Sequence, residues 1–231
     1  EKTMEELKNE FVKTINNSFN VEEKDISKIE RINTEKSIVY IAYSIQQENK
    51  FYDIDLNIPM INIKGNIPKE FNKVTQEVFV KKANEVRKNK NNAEKIIYSI
   101  DYVGYLNDNI LSIIIKSSLK QGNNPQRIII QTYNYNIETK EKVSLNNIIE
   151  QKNINVQELQ NKINDVLKSV KKEETILINS GYPVYERNLE SEIYKIENIT
   201  NFFLNEEGKL YIVFAYGNQN FTSEFDIVKY E

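Results

Sequence analysis

From Tyr98 to Glu150 the chain reads YSIDYVGYLNDNILSIIIKSSLKQGNNPQRIIIQTYNYNIETKEKVSLNNIIE, and no other stretch constrains its fold as tightly. Tyr98, Ile100 and Tyr102 share one face of a strand, because successive side chains on a strand point to opposite faces. Asn107, Asp108 and Asn109 are residue types that tolerate the left-handed backbone of a hairpin turn. Leu111, Ile113 and Ile115 then supply the inward face of the return strand. A looser loop, Lys120 to Gln126 with Gly122 and Pro125, leads into Ile128 to Ile137. Both faces of that strand carry apolar or aromatic residues, which predicts a central strand covered on both sides. After a turn at Glu138 to Lys142, Ser144 to Ile149 closes the run as a short helix.

The flanking segments follow the same two periods. Met4, Leu7, Phe11, Ile15 and Phe19 recur at helical spacing over Lys2 to Phe19 and give one apolar stripe. Strands are expected at Lys28 to Asn33, Ser37 to Gln46 and Phe51 to Ile58, the last ended by Pro59. In that last strand Ile54, Leu56 and Ile58 face one way and Asp53 and Asp55 the other, so the aspartates are expected on a solvated face. Pro68 suits the first turn of a helix running to Arg87 through Phe71, Val74, Val78 and Val86. Residues 87–95 are polar and read as a loop. A further helix starts at Asn155, a cap with Glu158 three residues on, and runs to about residue 171 on Val156, Leu159, Ile163, Val166, Leu167 and Val170. Glu173 to Ile199 is irregular, with a turn at Tyr182-Pro183 and a short helix around Leu189, Ile193 and Ile196. Phe202 to Leu204 and Leu210 to Tyr216 form a hairpin across Glu206-Glu207-Gly208, and Phe225, Ile227 and Tyr230 lie in a last strand.

These elements predict an α+β fold, an antiparallel β-sheet with helices packed mainly on one face. Three segments are expected: residues 1–36 as an N-terminal helix and connector, 37–143 as a first domain and 144–231 as a second, the last two interlocked as one unit.

Composition removes whole classes of function. The 231 residues contain no histidine and no cysteine. Triads with a histidine base, histidine or cysteine zinc sites, haem ligation and thiol chemistry are therefore excluded within the chain. Basic and acidic side chains number 31 and 34 and interleave along the length. That leaves no basic footprint for nucleic acid. Asp53 and Asp55 lack the supporting ligands of a calcium loop, so no catalytic residue, no metal and no cofactor is expected. No apolar run reaches the roughly 18 residues a membrane span needs. The opening at Glu1, with no methionine and no leader, is that expected of a mature fragment whose anchor lies upstream.

Four segments in order, NIPMINIKGNIPKEFNKVTQEVF, YSIDYVGYL, YNYNIETKEKVSLNNII and, after a helix, FFLNEEGKLYIVFAYG, resemble the tandem extracytoplasmic domains of anti-sigma-V factors (RsiV). The same pair of domains precedes some peptidoglycan deacetylase domains. The resemblance spans roughly Ser37 to Tyr230. It implies an extracytoplasmic sensor, not an enzyme, on the cell-surface side of the membrane. Such a sensor binds lysozyme, undergoes regulated proteolysis and releases a sigma factor. The helix at Lys2 to Phe19 would then lie just outside the membrane.

Loops carried by a rigid sheet are the default place for recognition. The candidate binding residues are accordingly Tyr216, Asn218, Asn220 and Phe221, with Asn123 and Asn124 as a second set. The fourteen tyrosines also permit the alternative of a non-catalytic module binding cell-wall polysaccharide, with peptidoglycan as partner. A third class, a carboxylate-only hydrolase, requires two acids facing each other across a cleft, about 5 to 10 Å apart.

Overall fold

The computed structural model describes residues 38–216 and 224–231. The expected helix at Lys2 to Phe19 and strand at Lys28 to Asn33 lie outside them. Two sheets are present. The first has six strands in the order β1 (Val39–Glu48), β2 (Tyr52–Ile61), β3 (Ile96–Asn107), β4 (Ile110–Gln121), β5 (Arg127–Asn136) and β6 (Glu141–Lys142). All pairs are antiparallel except β2 and β3, which the helix α1 (Asn66–Arg87) connects as a crossover. The second sheet holds β7 (Phe202–Leu204), β8 (Leu210–Ala215) and β9 (Phe225–Tyr230). Two further helices, α2 (Leu145–Gln151) and α3 (Val156–Asn179), run between the sheets in sequence. The α+β class is as expected.

Helix α1 buries Pro68, Phe71, Thr75, Phe79, Ala83 and Val86, a stripe of spacing three or four. It covers the sheet face that carries Ile54, Leu56, Ile58 and Tyr98, with Phe71 edge-on to Tyr133 at 4.6 Å. The second sheet covers the opposite face. Its strands alternate strictly: Phe203, Tyr211, Val213, Phe225 and Ile227 face the first sheet, whereas Phe202, Leu204, Leu210, Ile212, Phe214 and Val228 face α3. The molecule is thus helix, sheet, sheet, helix, with α1 and α3 on the two outsides.

The sheets are joined by polar side chains as well as by apolar packing. Ser112 Oγ donates to Asn134 Oδ1 at 2.6 Å and accepts from the Leu204 N–H at 3.1 Å. Asn134 Nδ2 donates to the Phe202 carbonyl at 2.8 Å, and Thr132 Oγ1 accepts from the Phe202 N–H at 3.0 Å. The unpaired edge of the short strand β7 is therefore satisfied by side chains from the middle of β4 and β5. Tyr105, Phe203 and Tyr211 stack through this junction, at 5.9 and 4.9 Å between ring centroids.

Three expectations are corrected. Pro59 does not end β2: it lies opposite Ile41, where the β1–β2 register slips before Tyr43, and beyond Leu56, the last residue of β2 paired with β3. A proline lacks the ladder N–H, and a bulge of this kind tolerates it. Asp53 and Asp55 are buried, 6 and 8% exposed, as are Asn57, Lys116 and Ser118 on the same face. Period-two alternation reports polarity, and polarity is not exposure. Finally, β5 is not central, because among the described residues its far side pairs only through Tyr135 and Asn136 with the two-residue β6. Its apolar faces arise from cover above and below, by α1 and by the second sheet.

Two turns follow their residue types. Asp108 carries the positive φ of the β3–β4 hairpin, 49°. Gly208, at φ 74°, turns the β7–β8 connection against the first sheet, where Asn107 Nδ2 donates to the Glu206 carbonyl at 3.1 Å. A Cβ on Gly208 would stand 2.6 Å from Asn107 Oδ1, whereas one on Gly181, also at positive φ, would meet nothing within 4 Å. Gly208→Ala should therefore cost about 2 to 4 kcal/mol and Gly181→Ala only about 1 kcal/mol. Parallel thermal denaturation of the two variants checks the difference.

Candidate functional site

Helix α3 runs beyond its expected end near residue 171 to Asn179. Glu174 holds the extra turns. It falls in phase with Leu159, Ile163 and Leu167 on the buried stripe and is itself 2% exposed. The helix then stops on Gly181, at φ 84°, with the Gly181 N–H donating to the Ile178 carbonyl and the Tyr182 N–H to the Leu177 carbonyl at 3.0 Å. This double bond pattern is the glycine-terminated helix end, and Pro183 prevents any continuation. Both stop signals are present in the sequence. The acidic residue within the stripe hides the helix from a purely apolar count.

The chain then returns along β9 and places Arg187 in a nearly closed site, 6% exposed. Its Nε and Nη2 donate to Asp226 Oδ2 and Oδ1 at 2.6 and 3.2 Å, a bidentate fork. Nη2 also reaches Glu224 at 3.2 Å and Nη1 reaches Glu174 at 3.4 Å. The Arg187 N–H donates to Glu174 at 3.0 Å, and Lys171 holds the other Glu174 oxygen at 2.6 Å. Glu224 in turn accepts the Tyr185 N–H at 2.6 Å. Three carboxylates, one from α3 and two from the start of β9 and the residue before it, thus converge on one guanidinium.

Tyr216, expected as a binding residue, is instead part of this interior at 4% exposure. Its hydroxyl donates to Asp226 Oδ2 at 2.6 Å and pairs with the Tyr194 hydroxyl at 2.8 Å. Its ring stacks on Tyr185 at 4.1 Å, and the guanidinium lies 5.3 Å from its centroid. Tyr216 precedes and Glu224 follows residues 217–223, so both ends of that connection are fixed by the cluster. Asn218, Asn220 and Phe221 lie outside the described residues. Asn123 and Asn124 stand exposed in the β4–β5 turn, tied through the Gly122 N–H to the Lys95 carbonyl at 3.0 Å. They belong to the first sheet, and Tyr216 adjoins the second.

The electrostatics describe a lock. Burial opposes the charge of Arg187, but the hydrogen bonds and charges of Asp226, with Glu224, outweigh it and raise the affinity for the proton. Burial likewise pushes Glu174 toward neutrality, and the hydrogen bonds from Lys171 and Arg187 overcome it, so its carboxyl sits below the usual range. Burial pushes the Tyr194 hydroxyl up to about 12 and raises Tyr216 further, with Asp226 adding to the rise. The carboxylates are engaged and the phenols are far from titrating at neutral pH. The cluster ties α3 and β9 to the segment that carries Arg187.

Beside it the surface is apolar. Ile176, Leu177, Ile178 and Tyr182 are 65, 41, 41 and 62% exposed at the end of α3. A polar cleft of about 730 Å³ lies on the other flank, between α3 and residues 189–197, with the buried Leu167 and Tyr194 in its wall.

No protein-family model matches the chain, and no curated protein matches its sequence. Among solved structures it is similar to a DUF3298 family protein from Pseudomonas aeruginosa PAO1, with a TM-score of 0.48 and 10% identity over 83% of this chain and 86% of that one. It is also similar to a DUF3298 family member from Bacteroides fragilis NCTC 9343, with a TM-score of 0.43 and 10% identity over 81% and 88%.

Arg187→Met should destabilise the protein by about 3 to 5 kcal/mol, because it strands buried carboxylates, and urea denaturation measures this. Arg187→Lys should recover little, since an ammonium cannot reproduce the fork. The folded Glu174 binds its proton more weakly than in the unfolded chain, so its contribution is complete above about pH 4.3 and is lost as pH falls through the lower folded value. Urea midpoints measured from pH 6 downward should therefore fall more steeply for the native chain than for Glu174→Gln.

Proposed function

We propose that this chain is the extracytoplasmic sensor domain of a membrane-anchored anti-sigma factor, a non-catalytic module whose ligand is lysozyme. One observation carries the reading. Tyr216 and Glu224, the residues on either side of 217–223, are held by a buried charge cluster, and the exposed Ile176, Leu177, Ile178 and Tyr182 lie beside that cluster. Rigid aromatic and aliphatic anchors next to an asparagine-rich connection are the composition of a protein-recognition surface. The resemblance of the sequence to anti-sigma-V ectodomains supplies the partner. Complementary charge with a cationic lysozyme raises the rate of encounter, and the formal charge of −3 on the chain has the matching sign. Binding would then expose a site for proteolysis near the membrane and free the sigma factor.

The alternative of a wall-polysaccharide module is favoured by a different feature, a cleft of about 270 Å³ between α1 and β5 lined by Tyr133, Tyr135, Glu70 and Thr132. Titration calorimetry with an animal-type lysozyme separates the two. We expect binding to the native chain, and at least a tenfold loss in Leu177→Asp and Tyr182→Ala variants that keep the native melting temperature, since both side chains are exposed. Absence of heat and of complex, with retention on purified peptidoglycan, would reverse the order of the two readings.

A further inference from the structure

Among the described residues, strand β5 has an open edge at Ile128 and Ile130. Thr132 and Asn134 direct their peptide groups away from β4, the first donating to Asn201 Oδ1 at 3.2 Å and the second accepting from the Val143 N–H at 2.9 Å. By the two-residue period, Ile128 and Ile130 direct theirs the same way, and no described strand pairs with them. Natural sheets blunt such edges with lysine, proline or a bulge. Here the run Ile128-Ile129-Ile130-Gln131-Thr132 has neither a charge nor a proline, and its register with β4 is unbroken.

We propose that two copies of this chain pair antiparallel through β5, on a two-fold axis at Ile129. In that register Ile128 opposes Ile130 of the second copy, and the reverse. Four backbone hydrogen bonds then satisfy the N–H and C=O groups of Ile128 and Ile130 in both copies. An axis at Ile130 would instead set Ile128 against Thr132, whose N–H is already given to Asn201. The side chains agree with the first choice. Along β5 the buried Ile128 and Ile130 alternate with the exposed Arg127, Ile129 and Gln131. Pairing at Ile129 sets the exposed isoleucine, 41% open, against itself, and sets the Arg127 guanidinium beside the Gln131 amide. Val74 and Val78, 45 and 55% exposed on α1, lie on the same side of the sheet and widen the apolar surface that the seam covers. The pairing is independent of the lysozyme reading.

The chain contains no cysteine, so single cysteines report the register directly. Directly opposed residues that share no backbone bonds lie about 4.5 Å apart between Cα atoms, within disulfide range. Under mild oxidation Ile129→Cys should give a disulfide-linked dimer. Arg127→Cys alone should not, but mixed with Gln131→Cys it should. Sedimentation of the native chain should show a mass that doubles with concentration, and Ile129→Lys, which opposes like charges, should raise the dissociation constant at least tenfold without lowering the melting temperature of the monomer. A native chain that stays monomeric throughout the concentration series, or a cross-link that forms equally from Arg127→Cys alone, overturns the proposal.

Discussion

Strand β7 has only three residues and, among the described residues, pairs on one side only, with β8. A strand that short cannot hold its backbone groups by sheet pairing, and a buried N–H or C=O left unpaired costs about as much as a lost hydrogen bond. Ser112, Thr132 and Asn134 resolve this by presenting hydroxyl and amide groups from the surface of the first sheet to the outer edge of β7. Such bonds are directional, so they fix where the second sheet sits in a way that stacked aromatic rings alone would not. The positions of β8, β9 and α3 all follow from that seating. The 144–231 segment builds one core between the second sheet and α3, and the other face of that sheet completes the core of the first.

The charge cluster around Arg187 is the second fixed point, and it depends on the first. Asp226 lies on β9, Glu174 on α3 and Glu224 just before β9, so the guanidinium ties the outer helix to the sheet beneath it. A buried ion pair with incomplete partners would cost more in desolvation than it returns. Here the fork to Asp226, the bond to Glu174 and the bond to the Tyr185 carbonyl use both faces of the guanidinium's donor set. The result is a frame that holds Tyr216 and Glu224, and a helix end whose apolar residues remain outside.

Much of this fold was legible in the chain. The hairpin at Asp108, the cap at Asn155, the short helix after Ser144 and the β7–β8 turn at Gly208 all depend on residue types whose local backbone preference is strong. The illegible parts share one cause. Asp53 and Asp55 read as solvated because alternation marks them polar, yet they are interior. The helix is expected to end near residue 171, yet it continues through the buried Glu174, which accepts from the Arg187 N–H. Tyr216 read as a recognition residue because it borders a loop, yet its hydroxyl is spent on Asp226 and Tyr194. In each case a polar group is buried, and for Glu174 and Tyr216 the partners that hold it come from other segments of the chain.

The sequence by itself determined the class, the order of strands and helices, most turns and the absence of histidine and thiol chemistry, because these rest on local preference and composition. Only the tertiary structure decided that β5 is an edge, that two sheets stack and that Arg187 gathers Glu174, Glu224 and Asp226. Those facts depend on which distant groups meet, and a one-dimensional pattern of polar and apolar residues carries no record of the partner.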